Sequence, residues 1–252
     1  MNDITLECLQ EFFYEGKEKY QWSYWTFLNH YKYLNKFLRW CVNQKYIKEN
    51  PIPQIHKPKK PQNLPRRLTQ EEGQKILCST FNYHWPYDFQ QTRNYAITAT
   101  FLFSGIRASE LINLSVTDID LDNSQIFIRS GKGNKDRYVP MHYKLKNALR
   151  RYESDKRRLG KNSIYYFTSV RSNKPITYKV VSKICKTVSQ FSNVRFTPHQ
   201  LRHTFASVSI EQGMGLVQAK EILGHSNIQS TMIYLKMTPQ GLKDSLNKIE
   251  LF

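Results

Sequence analysis

Four short stretches of this 252-residue chain group side chains able to act on an anion or a proton. They are Ser104-Gly105-Ile106-Arg107-Ala108-Ser109-Glu110, Gly131-Lys132-Gly133-Asn134-Lys135-Asp136-Arg137, His199-Gln200-Leu201-Arg202-His203, and Leu223-Gly224-His225 followed by Tyr234. Taken singly, each has an ordinary explanation. Arg107 at a helix start reads as a surface residue or a carboxylate partner. The glycines and asparagine of the second stretch suit a turn whose lysines are solvated. Tyr234 is one of 16 tyrosines, most of which fill core or surface. The third stretch is more informative, because spacings of three and four put His199, Arg202 and His203 on one side of a helix that Pro198 starts and Thr197 caps. His199 and His203 also have the spacing of a zinc-protease helix. Gln200 stands where that motif needs its glutamate base, however, and no third ligand has matching spacing, so no metal site is expected. For His203 alone, an inward-facing hydrogen-bonding role is the preferred reading.

These residues need elements to position them. Tyr24, Phe27, Tyr31, Leu34, Leu38 and Cys41 lie three and four apart and predict one face of a long helix, with Ile4, Leu6, Leu9, Phe12 and Phe13 supplying a shorter one before it. Five of the ten prolines then fall between residues 51 and 65, mixed with Lys57, Lys59, Lys60, Arg66 and Arg67. That run is read as an extended basic linker over 51–68. A second domain starts at Thr69-Gln-Glu-Glu72, which has capping-box spacing. Helical patterns follow at 91–103, 107–114, 142–158, 177–190, 198–212, 216–223 and 227–235. Alternation over Ser124 to Arg129 and again from Tyr138 predicts an antiparallel hairpin around the Gly131 turn. The fold class expected is mainly α with a small antiparallel β-hairpin, in two domains, residues 1–50 and 69–252.

Composition bounds the partners. Thirty-eight Lys and Arg against 20 Asp and Glu leave a net charge of +18, which points to a polyanion. Aromatics at 13% argue for a real core and against a disordered basic tail. No apolar run approaches a membrane span, and the start of the chain lacks an export signal, so a cytoplasmic protein is expected. Four scattered cysteines suggest neither a zinc ribbon nor a disulfide framework.

Taken jointly, the order Arg, Lys, His-x-x-Arg, His, Tyr, with these local words around each member, resembles the tyrosine recombinase or phage integrase family, particularly its Xer-like bacterial members. The resemblance covers residues 69–240 and, less distinctly, about 20–60, where Phe37-Leu-Arg-Trp-Cys41 and Asn50-Pro51 look like the end of a core-binding domain. It implies Arg107, Lys132, His199, Arg202 and His225 as catalytic residues, Tyr234 as nucleophile, and Glu110, Lys135 and His203 in support. Lys57, Lys59, Lys60, Arg66, Arg67 and Arg137 are candidate DNA contacts. Family members commonly carry more helix at the N-terminus, so residues 1–50 read as a truncated core-binding domain.

The implied reaction is transesterification of a DNA phosphodiester without metal, cofactor or ATP. Two planar guanidinium forks suit the charge that gathers on the non-bridging oxygens, and a neutral histidine suits the phenolic proton. A hairpin lysine, Lys132 first and Lys135 second, suits the leaving 5'-oxygen. Implied partners are duplex DNA with paired recombination sites, further copies of the chain up to a tetramer, and accessory DNA-binding proteins. The tail from Pro239 to Phe252 either docks on a second copy or packs on its own subunit. A type IB topoisomerase and a catalytically silent DNA-binding regulator are the alternatives.

Overall fold

The computed structural model describes residues 4–61, 67–129 and 136–224. The chain divides into two compact units, Met1–Leu64 and Pro65–Phe252.

In the first unit, α1 (Leu6–Glu18) and α2 (Tyr24–Asn43) start where hydroxyl side chains can satisfy open N–H groups. Thr5 Oγ1 accepts from the Cys8 amide at 3.3 Å, and Ser23 Oγ from the Thr26 amide at 3.1 Å. Their apolar stripes bury Leu9, Phe13, Phe27, Tyr31 and Leu38 against one another. Two helices make a thin core, and the chain completes it from a segment expected to be linker. Ile52–Gln54 forms one tight helical turn, and Ile52 and Ile55 enter the core. Asn50 sets this turn by accepting from the Ile52 amide at 3.1 Å while donating to Asn35 Oδ1 at 2.7 Å. Prolines bar a helix interior but suit its first turn, so the proline run was compatible with a short 3-10 turn that carries apolar residues inward.

The second unit is built around α4 (Asp88–Ser104), a helix buried on nearly every side and packed against α3 (Gln70–Asn82), α6 (Tyr143–Arg158) and α8 (Pro198–Glu211). Its polar positions cause no penalty, because Thr98, Thr100 and Ser104 return their hydroxyls to the carbonyls one turn back at 2.9, 2.7 and 2.5 Å. The capping box predicted at Thr69 is present, with Glu72 N to Thr69 Oγ1 at 3.1 Å and Thr69 N to Glu72 Oε2 at 3.0 Å. After α5 (Ala108–Asn113) come β1 (Ile119–Asp120), β2 (Gln125–Ile128) and β3 (Arg137–Pro140), an antiparallel sheet in that order. Ile126 pairs with Val139 and Ile128 with Arg137. Strand β1 was not anticipated, since two residues are too few to show alternation. α7 (Tyr178–Ser192) and α9 (Leu216–Leu223) complete the described unit, while the helix expected at 227–235 lies outside the described residues.

Between α6 and α7 the backbone carbonyls find cationic partners. Lys156 Nζ donates to Tyr165 and Tyr166, Arg93 Nη1 to Thr168, and Lys161 Nζ to Ser169 and Val170, over 2.6 to 3.3 Å. Lys156 and Lys161 count toward the net charge of +18 that points to a polyanion, yet both stabilise this loop. Among the described residues no helix is long and apolar enough to cross a membrane.

Gly105 ends α4 with φ at +62°, and a Cβ added there would stand 2.3 Å from Phe205 Cδ1. Gly105→Ala is therefore expected to cost more than about 2 kcal/mol, combining left-handed strain with overpacking. A fall in the urea midpoint at constant slope would record it.

Candidate active site

The turn that Gly105 permits delivers Arg107 to the start of α5. Its amide donates to Glu110 Oε2 and its Nη1 to Glu110 Oε1, both at 2.7 Å, while Nη2 donates to the Gly224 carbonyl at 2.7 Å. Among the described residues the side chain thus commits two of its five N–H groups, and it remains 23% exposed. Arg202, on α8, is buried and donates from Nη1 to the Gly105 carbonyl at 2.6 Å and from Nη2 to the Leu223 carbonyl at 2.8 Å. The two forks are consequently tied to the same α4–α5 turn and to neighbouring carbonyls at the end of α9.

His199 and His203 face each other one turn apart on α8, with their Nε2 atoms at 2.8 Å. One ring donates and the other accepts, which requires at least one neutral imidazole. Burial first, then His199 and Arg202, pushes His203 down to about 4. Burial followed by Arg202 also lowers His199. Burial thus favours the neutral form of both rings, and His199, at the exposed edge of the pair, can accept a proton. His203, half-buried, shares this hydrogen bond with the exposed His199 ring.

Glu110 is the carboxylate of the cluster, its side chain only 7% exposed. Burial alone would raise its pKa. Bonds from Arg137 and from the Arg107 amide and guanidinium outweigh that and hold it down at about 2.

Arg137 departs from expectation. It was read as a DNA contact, yet its side chain is 10% exposed and turned inward. Nη1 and Nη2 grip Glu110 Oε1 and Oε2 at 3.0 and 2.8 Å, and Nε donates to the Ile222 carbonyl at 2.8 Å. The reason is strand alternation, which puts Arg137 on the same face as buried Val139 and leaves Tyr138 outside. That signal was present in the sequence, whereas the carbonyl acceptors at Gly105, Ile222, Leu223 and Gly224 have no residue signature and were missed.

Of the other expected DNA contacts, Arg67 pairs with Glu211 on α8. Lys57 Nζ sits 4.4 Å from the centre of the Tyr31 ring in the first unit, and Lys59 and Lys60 are exposed. Arg66, Lys132, Lys135, His225 and Tyr234 lie outside the described residues. Among the described residues no group of three or more His, Cys, Asp or Glu could hold a metal ion.

The phage integrase family model matches residues 66–240. The chain is 33% identical over 199 residues to the tyrosine recombinase XerA of Pyrococcus horikoshii, covering 78% of this chain and 66%, just under two thirds, of that relative's length. It is 34% identical over 220 residues to the tyrosine recombinase XerC of Halalkalibacterium halodurans, covering 84% of this chain and 71% of the relative. Among solved structures, a XerA recombinase crystal structure matches with a TM-score of 0.64 and 26% identity, over 98% of this chain and 83% of that one.

Proposed function

We propose, from the premise that this chain belongs to the phage integrase family, that it is a site-specific DNA recombinase that cuts and rejoins strands through a 3'-phosphotyrosine. The observation that carries this reading is the convergence of Arg107 and Arg202 on the last carbonyls of α9, immediately before His225 on the path to Tyr234. In this reading the Tyr234 oxygen attacks phosphorus as His199 takes the phenolic proton. The bond from phosphorus to the 5'-oxygen breaks, and Lys132, or Lys135 in second place, protonates that oxygen. Arg107, Arg202 and His225 bind the non-bridging oxygens as the five-coordinate transition state forms. A 5'-hydroxyl from the partner strand then attacks the phosphotyrosine and frees Tyr234, with little net change in bond energy.

The remaining assignments follow the same reading. Pro65–Phe252 serves as the catalytic domain and Met1–Leu64 as a core-binding domain, the two acting as a basic clamp on duplex DNA within the cytoplasm. A tetramer forms on paired sites, with the segment from Pro239 to Phe252 docked on a second copy.

Incubation with a nicked suicide duplex carrying the recognition site should leave DNA covalently attached to the protein. Exchange between two duplexes supports the recombinase. Relaxation of supercoiled DNA without exchange would make it a topoisomerase, and absence of any adduct would leave a binding protein.

Binding should also weaken steeply with salt. A clamp that neutralises about five phosphates gives a log–log slope of about −4.5. A slope near zero in a filter-binding titration would dismiss the clamp.

A further inference from the structure

The last two carbonyls of α9 and that of the capping Gly224 each accept from a different guanidinium. Ile222 takes Arg137 Nε, Leu223 takes Arg202 Nη2 and Gly224 takes Arg107 Nη2, at 2.8, 2.8 and 2.7 Å. A helix C-terminus carries partial negative charge and unsatisfied carbonyls, so cations are welcome there. Three cations in one place still repel one another. Glu110 offsets two of them, each of its oxygens accepting once from Arg107 and once from Arg137.

Arg137 differs from its two neighbours in how it is used. Its guanidinium lies flat against Gly224, where an added Cβ would come within 2.8 Å of Nη1. Among the described residues its side chain makes three hydrogen bonds, two to Glu110 and one to Ile222. Arg107 shares the same carboxylate but keeps more than twice the exposure, 23% against 10%. β3 also begins at Arg137, directly after the segment that carries Lys132 and Lys135.

We infer that Arg137 is a positioning residue that, through Glu110 and the Ile222 carbonyl, locks the Arg107 fork and the C-terminal end of α9 into one preformed unit. The inference rests on the recombinase reading, for which Arg107 is a phosphate-gripping group and α9 leads into His225. Without Arg137, Glu110 loses a bidentate partner and Ile222 its guanidinium donor. Arg107 then has a less fixed carboxylate to lean on, and the backbone entering His225 is less constrained. DNA affinity should hardly change, because the Arg137 side chain is only 10% exposed and turned to Glu110 and Ile222.

The full chain should be compared with Arg137→Gln, Arg137→Lys, Glu110→Gln and the double variant Glu110→Gln/Arg137→Gln. Three quantities are read at a temperature where each variant is folded: duplex Kd, its salt slope, and the single-turnover rate of covalent attachment to a suicide duplex. Arg137→Gln should attach DNA at least 100-fold more slowly with Kd within twofold and the slope unchanged. Arg137→Lys should recover little of the rate, since one ammonium cannot span both Glu110 oxygens and the carbonyl. The double variant should be no slower than the worse single variant within threefold, because both act through one contact.

A Kd weakened tenfold together with a slope shallower by about 0.9 would make Arg137 a phosphate contact and overturn the inference. An attachment rate within threefold of the parent would do the same. The double variant leaves no buried carboxylate without its partner, so loss of fold in it as well as in Arg137→Gln would make Arg137 a folding residue only. A parent chain that attaches no DNA would overturn the recombinase reading itself and this inference with it.

Discussion

Tyr234→Phe is expected to abolish covalent attachment of DNA, lowering the rate at least about 10⁴-fold, while Kd stays within about fivefold. The asymmetry follows from what one hydroxyl does. In the proposed role of nucleophile it forms the new bond to phosphorus, so its loss removes more than about 5 kcal/mol of transition-state stabilisation. As a binding group it offers at most one hydrogen bond, which contributes about 1 kcal/mol to affinity. Gel shifts and a denaturing-gel assay for the adduct on the same preparations separate the two. Continued attachment by the variant would place the nucleophile at another residue, while a parallel collapse of binding would assign Tyr234 to the DNA interface.

The preformed site makes this test sharp. Arg107 and Arg202 are already held by Glu110, Gly105, Leu223 and Gly224. None of these four partners is Tyr234, so removing its hydroxyl leaves the two forks, which grip phosphate in the proposed reading, where they are. The same geometry explains why an arginine-to-lysine change is not mild. Arg202 spans two carbonyls from different elements, and a lysine can serve only one position in space.

Most of the elements were legible in the sequence because their signals are local. Thr69 and Glu72 form their cap from residues three apart, and Thr197 accepts from the Gln200 amide at 3.2 Å where Pro198 starts α8. The faces of α2 and α8 followed from spacing alone. What was not legible depends on partners distant in sequence. Ile52 and Ile55 sit in a proline-rich run whose composition suggests a linker, and only the thinness of a two-helix core explains their burial. Lys156, Lys161 and Arg93 carry no local sign of the loop carbonyls they satisfy, which are set by the fold's packing rather than by a motif. Arg137 lay between these cases. Alternation with Val139 placed it inward, yet its charge and its neighbours Lys132 and Lys135 suggested phosphate. Strand period outweighed charge because Glu110 was waiting on the inner side.

The hairpin lysines now call for a test that separates proton donation from phosphate binding, and the leaving group supplies it. An alkoxide leaves poorly unless protonated, whereas a thiol has a pKa of about 8.5 and departs unaided as thiolate. If Lys132 is the general acid, Lys132→Ala should cleave ordinary DNA at least about 10³-fold more slowly, within the span that positioned acid catalysis contributes. Sulfur in place of the bridging 5'-oxygen should then return its rate to within about tenfold of the parent, since the step that needed the proton no longer does. Arg202→Ala should be equally slow on both substrates, because the non-bridging oxygens carry the same charge whichever group departs. Lys135→Ala decides between the two lysines. Rescue of Lys135→Ala by sulfur with Lys132→Ala still inactive would transfer the proton-donating role to Lys135 and leave Lys132 as a phosphate contact. Rescue of Arg202→Ala would instead mean that sulfur lowers the barrier indiscriminately, and the assignment of Lys132 would fall with it.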